Sequence, residues 1–227
     1  MKKFLLPLFF MTAAVLLTLP AQAQKKISDG FVKYELADIK GDNLPPQVGM
    51  MKGSKLDVYF KGDKQKVSMN FMNGMMAMQV FKMSKEDPGT VLTDMMGNKT
   101  MVKQDKEDAV QNKVENMKVD AVKGASKEIA GYKCQKAIVT TANGDKMEIY
   151  YTDKIQPTAS YFDEVFPGLD GFPLEYRIKN QGITMVYSAT EVSGSLPDGS
   201  FDIPEGYKEM SAEEFKKQMG GMGNLGF

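Results

Sequence analysis

Residues 55–80 read KLDVYFKGDKQKVSMNFMNGMMAMQV, in which two tight-turn signals, Gly62-Asp63 and Asn73-Gly74, separate three runs of alternating side chains. Two-residue hairpin turns fix which residues face each other across the strands they join. Around Asn73-Gly74, Met72 opposes Met75, Phe71 opposes Met76, Met69 opposes Met78 and Val67 opposes Val80. Around Gly62-Asp63, Phe60 opposes Gln65, Val58 opposes Val67 and Leu56 opposes Met69. The two turns agree with each other. One face collects Leu56, Val58, Phe60, Val67, Met69, Phe71, Met76, Met78 and Val80, and the other carries Asp57, Tyr59, Lys66, Ser68, Asn70 and Gln79. Met72 and Met75 fall on the second face, at the hairpin tip.

Further turn signals recur along the chain at Pro88-Gly89, Gly97-Asn98, Asn143-Gly144 and Gln181-Gly182, between segments rich in Val, Ile, Tyr, Phe and Met. They delimit ten expected strands: 30–38, 55–61, 64–72, 75–83, 90–96, 99–104, 133–142, 146–152, 173–180 and 183–193. Leu174, Tyr176 and Ile178 alternate with Glu175, Arg177 and Lys179, and Ile183, Met185, Tyr187 and Ala189 continue the half-buried pattern. The expected fold is mainly β, a single large curved antiparallel sheet or incomplete barrel with a few short helices. Residues 105–128 are polar, with Val110, Val114 and Met117 at helical spacing, and read as a surface helix or an irregular crossover. Ser211-Ala-Glu-Glu214 matches a capping box and opens a short helix carrying Phe215 and Met219, ended by Gly220 and Gly221.

Lys2 and Lys3, an apolar run from Phe4 to Leu19 and the small-residue end Ala21-Gln22-Ala23 have the form of a secretory signal peptide, cleaved after Ala23. A soluble periplasmic or secreted protein is expected, with one β-rich domain over 24–219, a glycine-rich tail over 220–227 and no stable membrane span after cleavage. Loss of Lys2 and Lys3 turns the balance of 29 basic and 29 acidic residues into 27 against 29. Arg177 is the single arginine, so the bidentate fork that recognises phosphate is nearly missing and nucleic acid is not an expected partner. Cys134 is the only cysteine. It permits no intramolecular disulfide, and in its apolar run it reads as a small hydrophobe.

The chain has no histidine. Ser-His-Asp and Cys-His catalysis, His-coordinated zinc and histidine proton shuttles are therefore excluded. The acids show no clustering that would select a carboxylate pair, and Gly221-Met-Gly223-Asn-Leu-Gly226 matches a dinucleotide pattern with no strand before it. The expectation is a non-enzyme without a cofactor. Eleven of nineteen methionines lie between Met50 and Met101. Thioethers fill irregular cores and line adaptable apolar surfaces, so the nine-residue apolar face is the expected ligand-binding or core surface, with Met50 and Met51 after Pro45-Pro46 as a lid. A second reading gives Met69, Met76 and Met78 to Cu(I) or Ag(I), which soft thioethers select. In a third, Met50, Met51, Met72 and Met75 are an oxidant sink. The long connection 153–173, stiffened by Pro157, Pro167, Gly168 and Gly171, is a candidate surface for an envelope protein partner.

Three segments carry a resemblance: Ile129-Ala-Gly-Tyr-Lys-Cys-Gln-Lys-Ala137, Ile149-Tyr-Tyr-Thr-Asp153 and Phe166-Pro-Gly-Leu-Asp-Gly-Phe-Pro-Leu-Glu175. Together they resemble bacterial cell-envelope domain-of-unknown-function families related to the GLPGLI group. Asp170 and Pro173 depart from the namesake motif, so a sister family with Pro-Gly-Leu-x-Gly-x-Pro-Leu-Glu is the nearer pattern. Such families resemble the lipoprotein-carrier (LolA-like) superfamily, which implies an incomplete antiparallel barrel around an apolar cavity, and a lipid or other apolar small molecule as ligand. The resemblance supplies no catalytic residue.

Overall fold

The computed structural model describes residues 26–42, 44, 46–105, 117–142, 144–180 and 182–220. The signal-peptide segment, Val110, Val114 and the glycine-rich tail beyond Gly220 lie outside the described residues. In chain order the elements are β1 (Gly30–Lys40), α1 (Pro46–Gly49), β2 (Lys55–Lys61), β3 (Lys64–Phe71), β4 (Met76–Lys82), β5 (Thr90–Met95), β6 (Asn98–Lys103), β7 (Lys118–Ile129), β8 (Tyr132–Thr140), β9 (Lys146–Thr152), α2 (Tyr161–Val165), β10 (Phe172–Asn180), β11 (Ile183–Ser193), β12 (Lys208–Glu209) and α3 (Ala212–Gly220). The strands form one sheet of twelve, in the order β12-β6-β5-β4-β3-β2-β1-β11-β10-β9-β8-β7. All pairings are antiparallel except the short one between β12 and β6. The sheet is open and curved, and its two end strands do not meet.

The register expected for residues 55–80 is the observed one. Leu56 pairs with Met69, Val58 with Val67 and Phe60 with Gln65. Val67 pairs with Val80, Met69 with Met78 and Phe71 with Met76. Asn73 (φ 56°, ψ 36°) takes the left-handed backbone that its turn requires, followed by Gly74 at φ 89°. Met72 departs from expectation: it too is left-handed, at φ 50°, and its side chain packs against the core. The next hairpin turns one residue earlier than expected, on Met96-Gly97, because Met95 pairs with Asn98.

The segment 118–128, expected as helix or crossover, is strand β7, paired with β8 from Lys118↔Thr140 to Ile129↔Tyr132. As an end strand it has one hydrogen-bonded neighbour and most of its side chains in solvent, so it shows no apolar alternation. A register shift between Val122 and Ser126 interrupts the pairing. A bulge of this kind, with Lys118, Lys123 and Lys127 along the strand, is how exposed edges are kept from pairing with other chains. Strand β12 also went unpredicted, being only two residues long.

The concave side holds the main core, which draws Val32, Tyr34 and Leu36 from β1, the inward residues of β2 and β3, and Leu174, Tyr176 and Tyr187 from β10 and β11. The convex side is not purely polar. Phe81 and Leu92 alternate away from the concave face yet are buried. The chain from β11 to β12 runs across this side: Lys99 lies over the Tyr207 ring at 5.7 Å, and Asp202 acts electrostatically on Lys66 of β3. Helix α3 opens with the expected capping box, Glu214 N–H donating to Ser211 Oγ at 3.2 Å and Ser211 N–H to Glu214 Oε2 at 3.1 Å.

A charged ladder holds the convex side of β8–β10. Glu148 accepts from Lys136 at 2.6 Å and from Arg177. These partners, the Lys136 hydrogen bond first, hold its carboxyl below the usual carboxylate range. A carboxylate with a depressed folded-state pKa adds stability above its unfolded pKa and loses it as pH falls through the folded value. The group is partly solvated, so Glu148→Gln is expected to cost about 0.5–1 kcal/mol at neutral pH. The difference vanishes once acid has protonated Glu148 in the folded protein. Urea denaturation of both proteins from neutral to acidic pH measures this.

Candidate functional site

The connection 153–173 turns its apolar side chains into the concave face. Ile27 N–H donates to Lys154 O, and Gln156 N–H to Ile27 O, both at 2.8 Å, so the start of the connection is pinned beside the first described residues. Ser160 then caps α2: Phe162 N–H donates to its Oγ at 3.1 Å, and Ser160 N–H donates to Asp163 Oδ2 at 3.1 Å. This capping box places Phe162 and Phe166 one helical turn apart, on the side facing the sheet. The Phe162 ring meets Tyr34, Phe172 and Tyr176 edge-on at centroid distances of 5.8, 5.1 and 5.4 Å. Phe166 stacks beside it and also meets Tyr176. Tyr34 Oη donates to Pro173 O at 2.6 Å, which satisfies the one polar atom this ring brings inside. The connection ends on Gly171 (φ 146°), where a Cβ would stand 2.6 Å from the Tyr151 ring. Only glycine fits there.

The result is an aromatic plug over the β1, β10 and β11 part of the concave face. Its rings are neutral: burial raises the phenols of Tyr34 and Tyr176 well above their usual value, and that of Tyr187 to about 12. An ion pair ties the plug to the other half of the sheet, Lys82 of β4 with Glu164 of α2 at 2.5 Å. The segment proposed from sequence as a partner-binding surface thus contributes Phe162 and Phe166 to the core.

The nine residues of the expected apolar face do share one face, and the structure divides them. Leu56, Val58, Phe60, Val67, Met69 and Phe71 are buried. Met76, Met78 and Val80, all on β4, are half-buried and packed against the same cluster. Of the two lid residues, Met51 is buried within the core and Met50 is 59% exposed. Ile178 and Ile183, expected in the half-buried alternation, are half-buried against the core, as are Ile39, which was not singled out, and Met72, which was expected on the second face. They lie at the same end of the strands as the 72–75 turn, since Ile39 and Ile178 both pair with Met185 near the start of β11. Their partial exposure depends on what packs over the concave face and not on alternation.

One polar pair beside the methionines is satisfied internally, whereas the buried Ser54 hydroxyl next to Met51 has no hydrogen-bond partner among the described residues. Thr93, the register partner of Met78, shares a 2.6 Å hydrogen bond with Thr100, and both are buried. Among the described residues no group of three His, Cys, Asp or Glu side chains could hold a metal ion. The Cys134 thiol is buried, and desolvation raises its pKa to about 12. A thiol so raised has almost no thiolate at neutral pH and is a packing group.

A family model described as a domain of unknown function (DUF4412) matches residues 47–166, more than half of the chain. The chain belongs to this family. In DUF4412 terms the match runs from α1 to the end of the aromatic plug at Phe166, and it contains β2–β9 with the whole methionine-rich stretch; β1, β10 and β11 lie outside it. No curated protein matches the chain. Among solved structures, MucB is similar at 8% identity and TM-score 0.36, over 80% of this chain and 60% of that one. This DUF4412 chain therefore spans less than two thirds of MucB. LprF from Mycobacterium bovis is similar at 13% identity and TM-score 0.35, over 78% and 90% of the two chains. An uncharacterized conserved protein from Thermus thermophilus shows 9% identity and TM-score 0.29, over 81% and 91%. At these scores the likeness says nothing about activity. Among the described residues, no helix is long and apolar enough to cross a membrane.

Proposed function

We propose that this protein is a non-catalytic binding or carrier protein of the bacterial periplasm, delivered by a cleaved signal peptide, which holds a lipid acyl chain or another apolar molecule. The ligand lies against the half-buried end of the concave face, on Met72, Met76, Met78, Ile39, Ile178 and Ile183. One observation carries the reading: these side chains face the core side of the sheet, yet remain half-buried where the aromatic plug ends. Apolar side chains on a concave surface favour an apolar guest. Flexible thioethers let such a surface accept chains of different shape. The family membership is compatible with this role and assigns no activity.

The expected result is that mature protein purified from a bacterial periplasm releases a lipid on solvent extraction, and that native mass spectrometry shows the same mass bound. Recovery of protein free of any apolar molecule, together with failure to bind a fluorescent fatty-acid probe, would sink the proposal.

A further inference from the structure

Ser54 stands just ahead of β2, two residues before Leu56 and on the same side of the chain. Its backbone is fully engaged: the N–H donates to Met51 O at 3.0 Å, and the carbonyl accepts from Leu36 N–H at 2.8 Å. Its hydroxyl is not. The residue is 4% exposed, and Oγ has no hydrogen-bond partner among the described residues. A buried donor left unpaired lowers stability, and alanine would fill the same space without that penalty. Packing alone therefore does not account for serine at 54. The other orphaned atom, Oδ1 of Asp57, belongs to a carboxylate that already feels Lys33, Lys55 and Lys66.

Lys55 pairs with Asn70, and Phe71 with Met76. Ser54 thus falls one step beyond the Lys55–Asn70 pair, level with Phe71, in a row that runs Leu36, Ser54, Phe71, Met76 across β1–β4. Met72 follows Phe71 directly. The row borders the half-buried methionines at this end of the concave face, and Ser54 is the one hydroxyl in it. Lys52 and Lys55, the cations nearest Ser54 in sequence, are both exposed. An ionised carboxylate or phosphate drawn into the row would be buried without a counter-charge, which is far less favourable than burying a neutral oxygen. A hydroxyl proton without an acceptor is met by a carbonyl oxygen.

Resting on the acyl-chain reading above, we infer that the ligand is a neutral acyl ester and not a free fatty acid, with its carbonyl oxygen accepting from Ser54 Oγ and its chain along Met76 and Met72. The hydroxyl has almost no exposed surface, so the ester reaches it by displacing a side chain. Met51 is buried at the other end of the Ser54 N–H bond, and it sits on a turn outside any strand, its own N–H donating to Val48 O at 3.1 Å. A thioether there swings aside on its three rotatable bonds.

The test titrates the mature protein and its Ser54→Ala variant with three fluorescent probes of equal chain length: a methyl ester, the free acid and the hydrocarbon without oxygen. At about pH 7.5, where the acid is ionised, the unaltered protein is expected to bind the ester at least about tenfold more tightly than the acid, near 1.4 kcal/mol. Ser54→Ala is expected to weaken ester binding by a similar factor, to leave hydrocarbon binding unchanged and to melt no lower than the unaltered protein. Equal binding of ester and acid by the unaltered protein overturns the inference, whether or not the variant folds. Unchanged ester affinity in the variant overturns it as well, and a lower melting temperature beside that would show that the hydroxyl serves the fold. Binding of none of the probes overturns the acyl-chain reading together with it.

Discussion

Phe162→Ala is expected to lower the free energy of unfolding by about 3–5 kcal/mol, the usual cost of removing a buried phenylalanine. For a chain of this size that is a fall of roughly 10 °C in Tm. The size follows from what the ring touches: Tyr34, Tyr161, Phe166, Phe172 and Tyr176 all have centroids within 6.1 Å of it. Each aromatic pair adds something beyond the area buried, and α2 is too short to shift as a unit and fill the gap. Thermal and urea melts followed by circular dichroism measure the loss. A loss below about 1 kcal/mol would mean that α2 rests on a core complete without it, and that the concave face is closed by something else.

Met69→Glu is expected to be more damaging, on the order of 5 kcal/mol or loss of folding altogether. Met69 stands between Leu56 and Met78 in the ladder and is only 8% exposed, so a carboxylate placed there has neither water nor a cation. Met78→Glu makes the contrast. It lies on the same face one strand away and is half-buried, so its carboxylate reaches solvent and the fold should survive with a loss of about 1 kcal/mol. Expression and melting of the two variants side by side compare core with surface on a single apolar face. Equal tolerance of both would show that Met69 is not enclosed.

The hairpin register was legible because period-two alternation and two-residue turns are local properties, and the pairs expected from Leu56 to Val80 form except Met72 with Met75, which lie in the turn. Burial was not local. Met69 and Met78 look alike in sequence and are register partners, but Met69 is buried and Met78 half-buried, a difference that tertiary packing and not alternation sets. That connection had its own signal, a capping box at Ser160 and Asp163 with Phe162 and Phe166 one turn apart, masked by its prolines and glycines, which suggested a loop. β7 was unreadable for the opposite reason: an end strand whose side chains mostly face solvent leaves no periodicity to read. The burial of Phe81 and Leu92 on the convex side had no local signal either.

Titration of the mature protein and of its Met78→Glu variant with a fluorescent fatty-acid probe, at constant pH and salt, tests the central claim most directly. Saturable binding to the unaltered protein is expected, weakened by about tenfold or more in a variant whose melting curve shows it folded. Absence of saturable binding to the unaltered protein, or equal binding by the folded variant, would contradict an apolar ligand on the methionine-lined end of the concave face.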